Sequence, residues 1–388
     1  MGGDGVKALH IITGLGVGGA EQQLRLLLRH LPTECDVVTL TNAGAVARGI
    51  VADGARVTDL GMAGNRDVTV LPRLSGLIKA GGYDVVHTHL YRACLYGRVA
   101  ARLAGVRAVV ATEHSLGDSQ MEGRPLTRGV RALYLAGERL GRMTVAVSPA
   151  VGQRLSSWGV PRQRIQVVPN GIDVERFRFD PAARVLVRKR FGLPESAFVV
   201  GGVGRLSPGK RFDVLLRAVA QLPPDVAVLL VGSGPEEPEL RRLAQRLGLT
   251  DRVRFAGEAG HEEGTAADGV PDLPSLLAAM DALASPSPEE AFGLALVEGL
   301  ASGLPVLYSS CPAVDGLPEG VTADATRCPS DPDAYAGALH GLRGGVRVPA
   351  RRRAPAAAEH YSITRSAGQL MRVYTSVVSG PTLEVTPR

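Results

Sequence analysis

Two stretches of the chain share one local order: an apolar run, a glycine-rich loop and an amphipathic helix. The first lies within residues 8–31 and the second within residues 198–221. A short apolar run followed by glycines and a helix predicts a buried strand, a tight turn and a helix packed on the sheet. Strand and helix patterns alternate through the rest of the sequence, which favours parallel sheets covered by helices. The 388 residues exceed one ordinary core, so we predict an α/β chain with two Rossmann-like doubly wound domains.

Composition limits the classes of partner. The net charge of +6 favours anionic ligands such as nucleotides. Aromatic residues make up only 4% of the chain, few for base stacking, so we predict no nucleic-acid partner. No apolar run reaches the roughly 18 residues of a membrane span. Four scattered cysteines and an N-terminus without a signal-peptide pattern indicate a cytoplasmic protein.

The segment 286–306 carries the strongest functional pattern. Prolines precede a helix predicted to start near Phe292 and Gly293, with Glu290 just before it and Glu298 two turns inside it. The first amides of a helix have no partner within the helix and favour an anion. Two carboxylates around an anion site suit a ligand with phosphate in the middle and hydroxyls at both ends, as in a nucleotide sugar. The amides concerned belong to Ala291, Phe292, Gly293 and Leu294.

A second anion-binding pattern follows the predicted strand Phe198–Val203. Arg205 and Lys210 lie in the loop that leads to the next helix. An arginine fork and a lysine point charge in one such loop suit a diphosphate.

The loop after the first strand allows another interpretation. Gly14, Gly16 and Gly19 match the spacing G-x-G-x-x-G of dinucleotide-binding folds. The acidic residue expected after the second strand, Cys35–Leu40, is absent. An NAD-dependent oxidoreductase therefore stays open as an alternative.

Histidines follow two predicted strands of the first domain. The pair His87 and His89 has no Asp, Glu or Cys at metal-ligand spacing nearby, so we predict no metal site. His114 lies beyond the predicted strand Arg107–Ala111, at the sheet edge where ligands bind in such folds.

Several motifs resemble those of one enzyme family. The strings P-S-P-E-E-A-F-G-L and E-G-L-A-S-G-L-P-V in 286–306 resemble the Glu-x7-Glu signature of retaining GT-B glycosyltransferases of family 4. The strings G-G-A-E at 18–21, P-N-G-I-D at 169–173, G-R-L-S-P-G-K-R at 204–211 and V-G-S-G-P at 231–235 also resemble segments of this family. Ala291 and Arg211 replace glycines that are usual there.

The resemblance implies a GT-B fold, in which two Rossmann-like domains face an interdomain cleft. On that basis we expect the following division of the chain: an acceptor-side domain at 1–178, a linker at 179–195, a donor domain at 196–355, a helix at 356–378 that crosses back to the first domain, and a tail at 379–388. The insertion at 258–274 is predicted to lie on the surface.

The resemblance also implies roles for individual residues. Arg205 and Lys210 would hold the diphosphate, and Glu298 would bind ribose hydroxyls. Glu290 and the amides after it would hold the sugar and the distal phosphate, and His114 would contact the transferred sugar. Glycines 18, 19, 232 and 234 would line the donor. We expect no metal or other cofactor, because none is required if Arg205 and Lys210 supply the charge.

The acceptor is the least constrained part of the prediction. The segment 112–119 resembles the corresponding stretch of enzymes of aminoglycoside pathways. Glu113 and Asp118 would pair with an amine of the acceptor. This favours transfer of a hexosyl group from a UDP-sugar to a small aminocyclitol-like acceptor. A membrane-associated enzyme of envelope glycan synthesis is the alternative, with the basic helix 91–105 (Arg92, Arg98 and Arg102) on the inner membrane face. A nucleotide-sugar-binding protein or epimerase would bind the donor without transferring sugar.

Overall fold

A computed structural model describes residues 5–117, 120–122, 124–260, 269–317, 321–322, 324–345 and 356–380. The chain forms two compact units, the first made of Met1–Gly171 and Ile363–Arg388 and the second of Ile172–Ser362. The division falls earlier than the predicted residue 178. The reason is that the amide of Ile172 donates to the carbonyl of Tyr361 at 2.7 Å, which joins this part of the chain to the second unit.

The first unit is built on a seven-stranded sheet in the order β3-β2-β1-β4-β5-β8-β9, with all neighbours parallel. Its strands are buried apolar runs, as expected for a sheet covered on both faces. The strands are β1 (Lys7–Ile12), β2 (Glu34–Thr39), β3 (Arg56–Asp59), β4 (Val85–His89), β5 (Val109–Glu113), β8 (Met143–Ala146) and β9 (Ile165–Val167), and a small antiparallel pair is formed by β6 (Gln120–Met121) and β7 (Arg124–Pro125).

Helices connect these strands and cover the sheet. Ser148 caps α6 by accepting from the amide of Val151. The last helix of the chain packs its apolar side into the same core, where Leu370 and Val377 lie against Val85 and Val110. The helices are α1 (Gly19–His30), α2 (Gly44–Ala52), α3 (Val70–Gly81), α4 (Tyr91–Leu103), α5 (Arg128–Glu138), α6 (Pro149–Trp158) and α15 (Ile363–Ser379).

The second unit has a six-stranded parallel sheet in the order β12-β11-β10-β13-β14-β15. The strands are β10 (Phe198–Val203), β11 (Val226–Val231), β12 (Val253–Gly257), β13 (Ala282–Ser285), β14 (Val306–Tyr308) and β15 (Ala325–Arg327). The helices are α7 (Pro181–Arg190), α8 (Phe212–Ala220), α9 (Glu237–Arg246), α10 (Leu273–Ala278), α11 (Leu294–Ala301), α12 (Pro312–Asp315), α13 (Pro332–Gly345) and α14 (Ala356–His360). The prediction of two Rossmann-like α/β domains is confirmed.

Each sheet has one point where the strand order reverses. In the first sheet β1 lies beside β4, and in the second β10 lies beside β13. Ligands of open parallel sheets bind outside the carboxyl ends of the strands at such points. The two reversal points therefore locate the places where functional side chains are expected.

The predicted linker 179–195 lies within the second unit. It contains helix α7, which Asp180 caps by accepting from the amide of Ala182. The buried Arg188 donates to Asp281 at 2.7 Å, and Arg184 donates to the same carboxylate at 2.7 Å. These bonds make the segment an integral part of the second unit.

The structure also differs from the sequence-based prediction at 258–274 and at 356–378. Residues 261–268 of the insertion lie outside the described residues, but its end is buried: Asp272 is only 4% exposed and caps α10. The predicted single helix 356–378 is two helices, α14 and α15. Tyr361 lies in the break, and its hydroxyl donates to the carbonyl of Ala313 at 2.6 Å. In the described parts of the chain, no helix combines the length and apolarity needed to span a membrane.

Candidate active site

The reversal point of the second sheet brings two predicted site residues together. Lys210 ends a short 3-10 turn after β10, and Glu290 follows β13. Because these two strands are neighbours, the Lys210 Nζ lies 2.5 Å from a Glu290 carboxylate oxygen. The lysine side chain is 29% exposed and the glutamate side chain 14%. This ion pair joins the two sequence motifs into one site.

Arg205 lies in the same loop as Lys210 but forms no ion pair within the described ranges. Its side chain is exposed, and within the described ranges its guanidinium has no hydrogen-bond or ion-pair partner. A free guanidinium in the same loop as a lysine suits an oxyanion with several acceptor oxygens. Arg211, which replaces the usual glycine, adopts φ 52° and ψ 36°, the left-handed conformation that a glycine would take. The substitution therefore keeps the shape of the turn.

Helix α11 begins at Leu294, slightly later than predicted, and Gly293 is its N-cap. Gly293 has φ 96°, and a Cβ there would lie 2.4 Å from the Sγ of Cys311, so only glycine fits. The amides of Phe292, Gly293 and Leu294 have no acceptor among the residues that the structure describes. The start of α11 thus offers three unpaired donors on the segment that contains Glu290, and their contact with a ligand stays a prediction.

Glu298 lies inside α11 and is partly buried. Burial raises the pKa of its carboxyl to about 8, while the positive charge of Arg176 acts in the opposite direction. The carboxylate accepts no hydrogen bond from the described residues. An acceptor without a donor is a place where ligand hydroxyl groups would supply the missing hydrogen bonds.

Two glycines assigned to the donor site have a structural explanation. Gly232 has φ 126°, and a Cβ on it would lie 2.0 Å from the carbonyl oxygen of Gly204. A Cβ on Gly234 would lie 2.2 Å from the carbonyl oxygen of Leu206. Glycine is therefore required at both positions because the loops after β10 and β11 pass in close contact. Their contact with the donor stays a prediction.

In the first unit, the glycine loop after β1 leads into α1. Gly18 is the N-cap of this helix and Gly19 its first residue, which is exposed. No side chain caps α1 at this position. The loop presents a helix N-terminus at the reversal point of the first sheet, and its binding role stays a prediction.

His114 directly follows β5, which runs to Glu113 and not to Ala111 as predicted. Its Nε2 lies 3.0 Å from Nδ1 of His89. Its Nδ1 is buried and has no hydrogen-bond partner in the described part of the chain. Burial lowers the pKa of His114 to about 4, so the ring is neutral at pH 7.

The sequence interpretation missed His10, which lies with His87 and His89 behind His114. His10 of β1 is in register with His87 of β4, so their side chains share one face of the sheet with His89. One ring nitrogen from each of the three lies within 4.8 Å of the others, and all three rings are buried. Each ring nitrogen already has a hydrogen-bond partner. The period-two spacing of His87 and His89 was the available signal, but His10 joins them only once β1 and β4 are known to be neighbours.

Two predictions about polar residues of the first unit are wrong. Arg98 does not lie on a basic surface of α4. It is 1% exposed and packs over the ring of Tyr134, with its guanidinium carbon 5.4 Å from the ring centre. Glu113 is 2% exposed, so its carboxylate is not available to an amine of an acceptor. Burial raises the pKa of Glu113, and the nearby Arg98 opposes that rise. Asp118 lies outside the described residues.

Comparison with known proteins assigns both units to one family. The model of "Glycosyltransferase Family 4" matches residues 17–176, and that of "Glycosyl transferases group 1" matches residues 197–343. A D-inositol 3-phosphate glycosyltransferase of Streptomyces scabiei is 34% identical over 324 residues, which cover 77% of this chain and 69% of that protein. The chain belongs to the family 4 glycosyltransferases. This membership confirms the resemblance and argues against the NAD-dependent oxidoreductase.

Other relatives carry the same description. The D-inositol 3-phosphate glycosyltransferase of Salinispora tropica is 34% identical over 246 residues, or 57% of this chain and 48% of that protein. The chain thus spans about half the length of the first curated relatives that it matches.

Solved structures share the GT-B fold. Anabaena HepE in complex with UDP and glucose has a TM-score of 0.81 at 23% identity, covering 96% of this chain and all of that one. The sucrose-phosphate synthase of Thermosynechococcus elongatus has a TM-score of 0.74 at 21% identity, covering 96% of this chain and 99% of that one.

Proposed function

We propose that this family 4 glycosyltransferase transfers a hexosyl group from a UDP-sugar to a hydroxyl of a small cyclitol, with retention of configuration. The observation that carries the proposal is the contact between Lys210 and Glu290 beside the unpaired amides that begin α11. A cation, a carboxylate and free backbone donors in one place match the phosphates and the sugar hydroxyls of such a donor.

The proposal gives each donor-side residue a part of the nucleotide sugar. Arg205 and Lys210 bind the diphosphate, and the amides of α11 add donors to its distal phosphate. Glu298 accepts from ribose hydroxyls, which supply the hydrogen bonds that its carboxylate lacks. Glu290 accepts from sugar hydroxyls. In this arrangement Lys210 contacts both the phosphate and Glu290.

The proposed reaction needs no protein nucleophile. The bond from the anomeric carbon to the phosphate oxygen breaks, and a bond to the acceptor oxygen forms on the same face of the sugar. The acceptor proton passes to the departing phosphate, so that charge and atoms balance. Arg205 and Lys210 stabilise the negative charge that develops on the leaving group. No cofactor or metal takes part in this proposal.

The proposed acceptor class is based on the names of the curated relatives and on the burial of Glu113. The curated relatives are described as acting on D-inositol 3-phosphate, a phosphorylated cyclitol. Glu113, which would have paired with an amine, is buried. We therefore place a hydroxylated cyclitol, with or without a phosphate, ahead of an amino-substituted one.

A binding panel tests the donor. Thermal unfolding would be followed with UDP, GDP, ADP, dTDP or NAD, since a ligand of the native state at about 100 times its Kd adds roughly 2.7 kcal/mol of stability. We expect stabilisation by UDP alone, and nucleotide release from UDP-glucose when inositol or D-inositol 3-phosphate is added. A response to another diphosphate would change the donor base. A response to NAD alone, or binding of UDP without transfer to any cyclitol, would overturn the proposal.

A further inference from the structure

A continuous chain of hydrogen bonds leads through the core of the first unit to His114. It starts at the hydroxyl of Thr112 and passes through three histidines and one tyrosine. The distances are 2.7 Å from Thr112 Oγ1 to His87 Nε2, 2.7 Å from His87 Nδ1 to the Tyr374 hydroxyl, 3.4 Å from that hydroxyl to His10 Nε2, 3.0 Å from His10 Nδ1 to His89 Nε2, and 3.0 Å from His89 Nδ1 to His114 Nε2.

The rings in this chain are neutral. His10, His87 and His89 are fully buried, and burial lowers their pKa values far below the ordinary value of 6.5, for His10 to about 3. A neutral imidazole has one N–H and one nitrogen that accepts. Each ring can therefore donate on one side only, and the choice made by one ring dictates that of any ring that it contacts directly.

Three arrangements of protons satisfy the internal links. In the first, every ring carries its proton on Nε2, and the hydroxyl hydrogen of Thr112 is left without an acceptor in the core. In the second, Thr112 donates to His87, every ring carries its proton on Nδ1, and the surplus N–H is at His114. In the third, the hydroxyl oxygen of Tyr374 accepts from both His87 and His10, and the hydroxyl hydrogen of Tyr374 is left without an acceptor. Thr112 is 6% exposed, and its hydroxyl has no second partner in the described part of the chain. An unpaired donor in the core is costly, so the second arrangement is favoured once an oxygen reaches His114.

We propose that this chain fixes the proton of His114 on Nδ1 and so makes His114 a hydrogen-bond donor to a ligand oxygen. Among the ring nitrogens and hydroxyl oxygens of this hydrogen-bond chain, Nδ1 of His114 is the atom that lacks a partner within the described ranges. His10, His87, His89 and Tyr374 are positioning residues in this scheme. The inference rests on the proposed function for the ligand: the oxygen belongs to a hydroxyl of the sugar or the cyclitol. As a neutral donor, His114 binds that oxygen and does not act as a base.

Nuclear magnetic resonance of 15N-histidine-labelled protein tests the chain without any activity. Long-range proton–nitrogen spectra report which ring nitrogen carries the proton. In protein saturated with UDP-glucose, we expect His10, His87, His89 and His114 all to be neutral with the proton on Nδ1. Protons on Nε2 in all four would overturn the donor assignment. A mixture of tautomers or a charged ring at pH 7 would overturn the chain itself.

Two matched variants test whether the chain reaches His114. Tyr374→Phe removes the central hydroxyl and keeps the ring, whereas Tyr83→Phe removes a buried hydroxyl that donates to Asp36 elsewhere in the unit. In Tyr374→Phe we expect His114 to become a mixture of tautomers, and kcat to fall about threefold with KM for the donor unchanged, because only one tautomer is competent. Tyr83→Phe should change neither. An unchanged tautomer of His114 in a folded Tyr374→Phe protein would contradict the inference.

The nuclear magnetic resonance result also separates this inference from the proposed function. Four Nδ1 protons in a protein that transfers no sugar would leave the chain standing and remove the function. An active enzyme whose histidines do not share one tautomer would support the proposed function and remove the hydrogen-bond chain.

Discussion

The two units place opposite kinds of chemistry at corresponding points of their sheets. At its reversal point the second unit has charged side chains on loops, with Arg205 exposed and Lys210 paired to Glu290. At its own reversal point the first unit has neutral polar groups inside the sheet, which are the buried rings of His10, His87 and His89. The same fold thus supports a charged surface site in one unit and an uncharged hydrogen-bond chain in the other.

This difference follows from where each group is located along its strand. Loops after strands reach solvent, so a cation there keeps most of its hydration until an anion arrives. Groups within a strand lie between the sheet and its helices, where a charge without a partner would be very costly. The buried groups must be neutral and must satisfy one another. The comparison therefore predicts that the first unit controls hydrogen-bond direction and the second controls charge.

Lys210→Ala should give the largest effect and tests the charged side of the comparison. Loss of a cation that stabilises the leaving group is expected to lower kcat by about 10²–10³. Stability should change little, because a partly exposed ion pair contributes about 1 kcal/mol or less. Steady-state kinetics and urea unfolding measure the two quantities.

Lys189→Ala is the matched control for that variant, since Lys189 is an exposed lysine on α7 of the same unit. It should leave both kinetics and stability unchanged. A folded Lys210→Ala enzyme with the wild-type kcat would remove the charge-stabilising role from this loop.

The sequence predicted the second unit more fully than the first for a physical reason. Glu290 and Glu298 lie on one contiguous segment, so their relation to the start of α11 can be inferred from local spacing. The contact of Lys210 with Glu290 requires knowledge that β10 and β13 are neighbours, yet each residue could be identified singly. Charged residues in glycine-rich loops are visible without the tertiary structure.

The histidine chain could not be predicted in the same way. Tyr374 and His10 are 364 residues apart, and the contact exists because α15 packs on the sheet that contains β1. Arg98 shows the related error in the other direction. Its helical position suggested a basic surface, but the helix turns this side inward, against Tyr134. Residue type alone does not reveal which side of a helix is buried.

Acid should destabilise the first unit through its neutral histidines. His10 has a folded pKa of about 3, below its ordinary value of 6.5. The unfolded chain therefore binds a proton below pH 6.5 that the folded chain does not, and stability falls as the pH falls through this window. Each such histidine contributes a slope of about 1.4 kcal/mol per pH unit.

His10→Gln isolates one of these contributions. We expect the slope of unfolding free energy against pH, between pH 6.5 and 4, to decrease by about 1.4 kcal/mol per pH unit. Gln keeps a donor and an acceptor but cannot titrate. His340→Gln, at an exposed histidine of the second unit, is the control and should keep the wild-type slope. An equal slope in His10→Gln and wild type would mean that His10 is protonated in the folded state.

Glu298 should make the second unit less stable as the pH rises, which is a smaller effect than that of the histidines and has the opposite sign. This dependence on pH sharpens the comparison of the two units. Burial raises the pKa of its carboxyl from 4.5 to about 8, so the folded state holds a proton that the unfolded state releases above pH 4.5. The resulting loss of stability begins as the pH rises above 4.5 and is complete above pH 8.

Glu298→Gln removes the titration, and its Tm should exceed that of wild type by a few degrees at pH 8 and equal it near pH 4.5. Addition of UDP should narrow the difference at pH 8 by stabilising wild type more, because the ribose hydroxyls of the proposed ligand donate to the ionised carboxylate. A Tm difference that is the same at both pH values would show that folding does not shift the pKa of Glu298, and the two units would then not differ in the sign of their response to pH.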